Sequence, residues 1–137
     1  MEQRDFLMRE IERLSQILSK LISKVSGLKA VDFQVIIKEV NDILYSEFDL
    51  NLDNIIAIDK PNLLAKIKDT DRVNIELLTS LLAKIIEKIQ DLEKQSDYDI
   101  AELSKKAIVL IEYIDHETKT FSMERMNLKK KLELIPN

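Results

Sequence analysis

Residues 5–28 have the sequence DFLMREIERLSQILSKLISKVSGL, and the spacing of its apolar residues predicts an α-helix. Apolar residues recur alternately four and three positions apart, which places them along one helix face as a heptad seam. The seam consists of Leu7, Ile11, Leu14, Leu18, Leu21, Val25 and Leu28. Ile17 and Ile22 widen this face beyond what a two-stranded coiled coil needs. We predict a helix over residues 5–26 that is buried on more than one side, with Gly27 as a left-handed residue after its last turn.

The remaining apolar residues also recur with helical spacing. From them we predict further helices over residues 32–47, 62–68, 72–94, 97–116 and 122–134, with a short turn over residues 53–58. Residues that can cap a helix N-terminus precede these segments: Asp32, Asp53, Asp59 followed by Pro61, the segment Asp69-Thr70-Asp71, Ser96 or Asp97, and Ser122. The chain is therefore expected to form about six helices joined by short polar connections.

Composition supports the same fold class. The 137 residues include one glycine and two prolines, whereas an all-β chain of this length needs such residues in its many turns. We predict an all-α fold in which helical hairpins pack as a bundle or a short solenoid. A chain of this length forms one domain with its own core. We expect N-terminal helices over residues 1–68, and a hairpin with a capping helix over residues 69–137.

The charge balance argues against nucleic acid as a partner. The net charge is −4 and neither half of the chain has an excess of basic residues, whereas nucleic-acid binders usually carry a basic face. One basic cluster contains Lys119, Arg125 and residues 129–131. The three lysines in the final turns of the helix complement its dipole, and the alternative is a phosphate-binding patch. The longest apolar run, residues 107–111, is too short to span a bilayer. We expect a cytoplasmic protein that binds neither nucleic acid nor membrane.

Patterns that would support catalysis or metal binding are incomplete in this chain. Residues 49–53 begin like a calcium loop, but Asn54 and Lys60 replace the glycine and the bidentate glutamate that such a loop requires. His116 is the single histidine and cysteine is absent, so zinc and di-iron sites lack their ligands. A phosphate-binding loop needs several glycines. We expect no cofactor, no metal and no enzymatic activity.

Several polar residues on the predicted helices have structural interpretations. Ser15, Ser19 and Ser23 recur at every fourth position beside the seam, where small side chains permit close approach of another helix. A nucleophilic serine requires a base, and none accompanies these residues. Glu102 and Lys106 are four positions apart and are expected to form an ion pair on a helix surface.

Residues 122–125, SMER, permit two interpretations. In the first, Ser122 caps the last helix and Arg125 reaches Asp115 or Glu117, pinning the last two helices together. In the second, Arg125 is presented to an acidic group of a partner protein. Both interpretations place the segment at a helix start.

Residues 72–116 resemble a tetratricopeptide repeat, which is a hairpin of two helices. The matching positions are Leu81, Leu82 and Ile85 in the first helix, Asp97 and Tyr98 in the turn, and Ala101 and Ala107 in the second helix. The aromatic and glycine signature of the repeat's first helix is absent, so the match is partial. Such repeats bury their faces by stacking on neighbours, and the helix over residues 122–134 would act as the cap.

The chain also resembles a small bacterial family of helical proteins. The matching segments are residues 5–12, DFLMREIE, and residues 120–125, TFSMER, which follow the hairpin. Between these segments the match is in the pattern of helices. That family has no assigned activity, so the resemblance implies the fold and no particular function.

These observations favour an interaction or scaffold protein that binds another protein. Tetratricopeptide-like arrays bind through a concave surface formed by the first helices of their hairpins, here residues 72–94. The candidate binding residues on this helix are Asn74, Lys84, Lys88 and Asp91. Arg125, in the predicted last helix, is a further candidate. The alternative is a self-associating structural protein. In that case a homodimer forms through the seam, which includes Leu7, Ile11, Leu14, Leu18, Leu21 and Val25.

Overall fold

The computed structural model describes residues 2–92 and 98–136, and helices contain 83% of these residues. The α-helices are α1 (Glu2–Ser26), α2 (Phe33–Phe48), α3 (Leu52–Ala57), α4 (Lys60–Ile67), α5 (Arg72–Asp91), α6 (Ile100–Thr118) and α7 (Met123–Glu133). A 3-10 turn, Ala30–Asp32, precedes α2. The described part of the chain contains no strand, which confirms the predicted all-α fold. The described residues form seven α-helices, one more than expected, because the expected turn after Asp53 is a short helix, α3.

Helices α1, α5 and α7 run in the same direction, and α6 runs against them. Asn74 of α5 bonds to the carbonyl oxygen of Ile11, near the start of α1. Arg125 of α7 bonds both to Glu76 near the start of α5 and to Asp115 near the end of α6. The two outer helices, α1 and α7, therefore flank the central helix α5, with the starts of all three at one end of the bundle.

The core forms where α5 packs between α1 and α6. Nine residues of α5 are buried, and they include the adjacent pairs Leu81–Leu82 and Ile85–Ile86, so the helix is covered on more than one side. Four positions of the seam are buried against the rest of the chain: Leu18, Leu21, Val25 and Leu28. Earlier in the seam, Ile11 and Leu14 are half-buried and Leu7 is exposed. The seam is thus an internal contact over most of its length.

Three of the predicted helix caps are confirmed. The side chains of Asp59, Asp71 and Ser122 accept hydrogen bonds from the backbone N–H groups of Asn62, Val73 and Arg125 at 2.9, 3.0 and 3.2 Å. Each bond satisfies an N–H group that has no partner within its own helix. These caps fix the starts of α4, α5 and α7.

The other predicted caps differ from the structure. Asp32 occupies the N-cap position of α2, as predicted, but it makes no side-chain cap bond, because its own backbone is already helical at the end of the 3-10 turn. Asn51, rather than Asp53, caps α3 and forms a reciprocal pair with Asn54 at 2.8 and 3.0 Å. Asp99 caps α6 by accepting from the Glu102 N–H at 3.1 Å. The predicted caps Ser96 and Asp97 lie outside the described residues.

Gly27 does not have the left-handed conformation expected of it. Its N–H bonds to the carbonyl oxygen of Ser23 at 3.1 Å, and the Leu28 N–H bonds to Val25 at 3.1 Å, so the right-handed winding continues past α1. Left-handed backbone occurs instead at Asp49 and Lys119, with φ of 59° and 52°, directly after α2 and α6.

Within the described residues, no helix is both long and apolar enough to cross a membrane.

Candidate protein-binding groove

A groove of about 560 Å³ lies beside α5, with α7 as one wall and Ile22 of α1 opposite. Its lining from α5 is Ser80, Ala83, Lys84, Ile86, Glu87 and Gln90, and its lining from α7 and the segment that follows is Leu128, Lys131, Leu132, Leu134 and Ile135. We call this surface the α5–α7 groove. It is formed by three helices that share one direction.

The depth of the groove follows from small side chains on α5. Ser80 and Ala83 are half-buried and lie on the strip of α5 that separates α1 from α7. Because these side chains are short, they leave space between the walls that a leucine would fill. On the α7 side, Leu128, Leu132 and Ile135 recur four and three positions apart, so they line the same wall. The groove therefore has a largely apolar interior.

Charged groups occur on both sides of this interior. Lys84 projects from α5 with 40% of its side chain exposed, and its Nζ lies 3.4 Å from Oε2 of Glu87. Lys131 projects from α7 and is exposed. Among the described residues Lys131 has no ion-pair partner. On the α5 side the charge of Lys84 is balanced by Glu87, which also lines the groove, so the unbalanced positive charge lies on the α7 side at Lys131.

A second cavity continues the groove toward the start of α5. It has a volume of about 270 Å³ and shares Ser80 and Leu128 with the α5–α7 groove. Its far end is lined by Val73 and Ser122. From Val73 to Gln90 the helical rise of about 1.5 Å per residue gives a combined length of roughly 25 Å. The surface between α5 and α7 is therefore an elongated cleft.

Arg125 holds the two sides of this cleft together. Its Nε donates to Oδ1 of Asp115 at 2.6 Å, and its Nη1 donates to Oε1 of Glu76 at 2.6 Å. Its Nη2 donates to the carbonyl oxygen of Thr120 at 3.2 Å. Partial burial lowers the pKa of Arg125, but the hydrogen bonds to Asp115 and Glu76 raise it more, so the net pKa lies above its ordinary value.

The guanidinium of Arg125 is accordingly directed into its own chain. Its side chain is 13% exposed, and the bond to Asp115 is the one that pins α7 to α6. That interpretation of the SMER segment is confirmed, and the structure adds Glu76 as a second partner. The sequence did not indicate Glu76, because it is distant along the chain and lies on a different helix.

The opposite end of α7 is anchored by a serine. Ser104 of α6 is buried and donates from Oγ to the carbonyl oxygen of Leu132 at 2.7 Å. Leu132 is the one buried residue of α7. Polar contacts near both ends therefore hold helix α7 in place, and the helix buries little apolar surface between them.

A lysine of α6 anchors α3 in a similar way. Lys106 is 8% exposed, and its Nζ donates to the carbonyl oxygens of Ile55 and Ile56 at 3.3 and 2.9 Å. The predicted pair with Glu102 is also present, at 3.7 Å. Sequence spacing identified the Glu102 pair alone, because contacts to another helix leave no signal in the spacing along α6.

The predicted binding residues on α5 are dispersed. Lys84 lines the groove, whereas Lys88 is half-buried and Asp91 is exposed, and neither is among the lining residues. The expectation that Asn74 lies on the surface was wrong, because it is 1% exposed. Its side chain pairs with Ser15 and with the backbone of Ile11 instead. Three further residues line the groove but were not predicted as binding residues: Lys131, Glu87 and Gln90.

The other polar candidates lie away from the groove. His116 is exposed over 87% of its side chain, with Nδ1 3.8 Å from a carboxylate oxygen of Glu117. Asp49 pairs with Lys66 of α4. Of the three serines beside the seam, Ser15 contacts α5, whereas Ser19 and Ser23 are exposed. No group of three or more metal-binding side chains occurs in residues 2–92 and 98–136.

Comparison of the chain with protein-family models, with curated proteins and with solved structures finds no match. The groove is therefore interpreted from its own residues and geometry.

Proposed function

We propose that this chain is a non-enzymatic helical interaction or scaffold protein that binds a segment of another protein in the α5–α7 groove. The observation that carries the proposal is the apolar α5–α7 groove, which is open from Ser80 to Gln90 along α5 and bordered by Lys84 and Lys131. A groove of this kind suits an amphipathic helix, whose apolar face enters while its polar face remains in water.

The dimensions of the cleft support a protein segment as its occupant. From Ser80 to Gln90 the groove is roughly 15 Å long at about 1.5 Å per residue, which corresponds to about three turns of helix. Leu134, 81% exposed at one end of the groove, extends the apolar surface beyond the cavity. Because Lys131 is unpaired on the α7 side, whereas Lys84 pairs with Glu87 on the α5 side, we expect an acidic residue at the α7 edge of the bound segment and a charge pair with Lys84 that displaces Glu87.

The resemblance to tetratricopeptide hairpins belongs to the same proposal. Helices α5 and α6 form an antiparallel pair and α7 covers one side of it, as a capping helix would. We propose on the quoted segments that the chain is related to the small bacterial family of helical proteins and that it acts in the cytoplasm.

Affinity capture with matched charge variants tests the proposed function. The first bait carries Lys84→Glu and Lys131→Glu, which reverse both groove lysines. The second carries Lys88→Glu and Lys130→Glu on the same two helices, outside the lining of the groove. Both baits have the same net charge, and Lys→Glu leaves helix propensity almost unchanged.

A partner captured by the parent should be lost from the first bait and retained by the second. Retention by both variants, or loss from both, would show that the captured protein does not recognise the groove. Circular dichroism of the two baits checks that each keeps the helical fold.

A further inference from the structure

A set of large apolar side chains is exposed at the end of the bundle where α1, α5 and α7 begin. It comprises Phe6, Leu7 and Met8 of α1, Val73 of α5, Phe121, and Met123 of α7. We call this set the apolar end. Six of the ten large apolar side chains exposed in the described part of the chain belong to it. None of the six residues lines the α5–α7 groove, and one of them, Val73, lines the adjoining cavity.

The apolar end exists because α1 starts earlier in the bundle than α5. The bond between Asn74 and the Ile11 carbonyl places the first turn of α5 beside the third turn of α1. Leu7 lies one turn before Ile11, on the same face, where α5 has not yet begun. The face that packs against α5 from Leu18 onward is therefore left without an internal partner at Leu7, which is 59% exposed.

The residues on either side of Leu7 are apolar as well. Phe6 and Met8 are 63% and 60% exposed, and at 100° per residue they project to opposite sides of Leu7. When two such helices cross antiparallel at Leu7, a two-fold axis places each of these three residues beside its own copy. Such a self-complementary surface is what a two-fold dimer requires.

The size of the apolar end fits a dimer interface. At about 200 Å² for a fully exposed large side chain, the six exposed fractions together amount to about 700 Å² per chain. A stable interface buries about 800 Å² on each partner. In an antiparallel crossing the first turn of one copy reaches the start of α5 in the other, where Val73 is exposed.

The charges at this end favour a second copy over a strongly charged partner. Arg4 and Arg9 are balanced by Asp5 and Glu10 within the same turns of α1, and all four residues are exposed. An anionic membrane or a nucleic acid would be attracted by an excess of basic residues. The balance leaves apolar burial as the main source of affinity.

We infer that two copies of this chain associate through the apolar end, with the first turns of their α1 helices crossing antiparallel at Leu7. This is a narrower contact than a full heptad dimer, since Leu18, Leu21 and Val25 are buried within their own chain. It is also independent of the α5–α7 groove, so either proposal stands if the other fails.

Site-specific disulfide formation tests the crossing point. The natural sequence contains no cysteine, so Leu7→Cys introduces a single thiol. Under mild oxidation Leu7→Cys should form a covalent dimer at least about tenfold faster than Val31→Cys, because the crossing brings the two Cβ atoms within disulfide reach. Val31 is the control because it is 84% exposed and precedes α2. Equal rates for the two variants would overturn the inference.

Sedimentation velocity over a concentration series provides the second measurement. The parent should show a concentration-dependent dimer, and Phe6→Ser with Leu7→Ser should raise its dissociation constant at least about tenfold. Val31→Ser with Val35→Ser removes two exposed valines near the opposite end and should leave the dissociation constant unchanged. A parent that stays monomeric at several hundred micromolar, or a dimer insensitive to the Phe6 and Leu7 changes, would overturn the inference.

Discussion

The Ser15 hydroxyl and the Asn74 side-chain oxygen lie 2.6 Å apart across the contact between α1 and α5. Asn74 is buried, and its Nδ2 also donates to the Ile11 carbonyl oxygen at 3.0 Å. A buried amide is costly unless it is hydrogen-bonded, so a shift of α1 along α5 would leave it unsatisfied. This pair therefore sets the register that positions the groove and exposes Leu7.

Asn74→Ala should lower the free energy of unfolding by about 1–3 kcal/mol, because it removes these bonds and leaves buried groups without partners. Ser15→Ala should have a smaller effect in the same direction. Ser19→Ala, on the exposed side of α1, is the control and should be neutral or slightly stabilising. Urea denaturation measures all three. Equal stability of Asn74→Ala and the parent would contradict this account of the register.

Leu18→Asp should lower the free energy of unfolding by roughly 3–5 kcal/mol, because Leu18 is fully buried and the new carboxylate has no partner. Leu7→Asp changes the exposed end of the same seam and should lower the free energy of unfolding by less than about 1 kcal/mol in dilute solution. Thermal melts followed by circular dichroism compare the two. If Leu18→Asp melts like the parent, the seam does not pack within its own chain.

Arg125→Ala should destabilise the fold by about 1–2 kcal/mol, because the bonds to Asp115 and Glu76 are lost while both carboxylates return largely to water. Amide hydrogen exchange should accelerate in α7 more than in α5, since α7 buries little else. Lys130→Ala, on the exposed side of α7, is the control. Unchanged exchange in α7 would contradict the pinning role of Arg125.

Asp99→Ala should lower the free energy of unfolding by about 1 kcal/mol, because Asp99 caps α6 through the Glu102 N–H. Asp32→Ala should cost a few tenths of a kcal/mol at most, since Asp32 makes no side-chain cap bond. Chemical denaturation of both variants makes the comparison. A larger loss for Asp32→Ala would reverse the cap assignment.

The helices could be predicted from sequence because apolar spacing reports directly on which face each helix buries. The predicted range 72–94 contains α5, Arg72–Asp91, and the predicted range 32–47 nearly coincides with α2, Phe33–Phe48. Caps were harder to predict, because several residues that can cap a helix stand close together before most helices. At α3 the choice between Asn51 and Asp53 depends on backbone geometry, and at α2 the 3-10 turn removes the need for a side-chain cap.

The candidate site was predicted only in part, because it is formed by residues from different helices. Lys84 could be proposed from its position on the polar side of α5, and the structure places it in the groove. Lys131 was interpreted as a lysine that complements the helix dipole, which is true of many lysines and says nothing of a neighbouring helix. Asn74 was assigned to the surface because a polar residue usually lies there. Its burial depends on Ser15, on another helix.

Photo-cross-linking from within the groove tests directly whether the α5–α7 groove binds another protein. A photoreactive side chain at Gln90, which is exposed and lines the groove, samples whatever binds there. The same group at Gln34, exposed on α2 and outside the groove, is the control. If a protein segment binds in the groove, the group at Gln90 should form a discrete protein adduct in native lysate and the group at Gln34 should not. Lys84→Glu with Lys131→Glu should abolish the adduct. Adducts of equal yield at both positions, or an adduct at Gln90 that survives the two lysine changes, would contradict it.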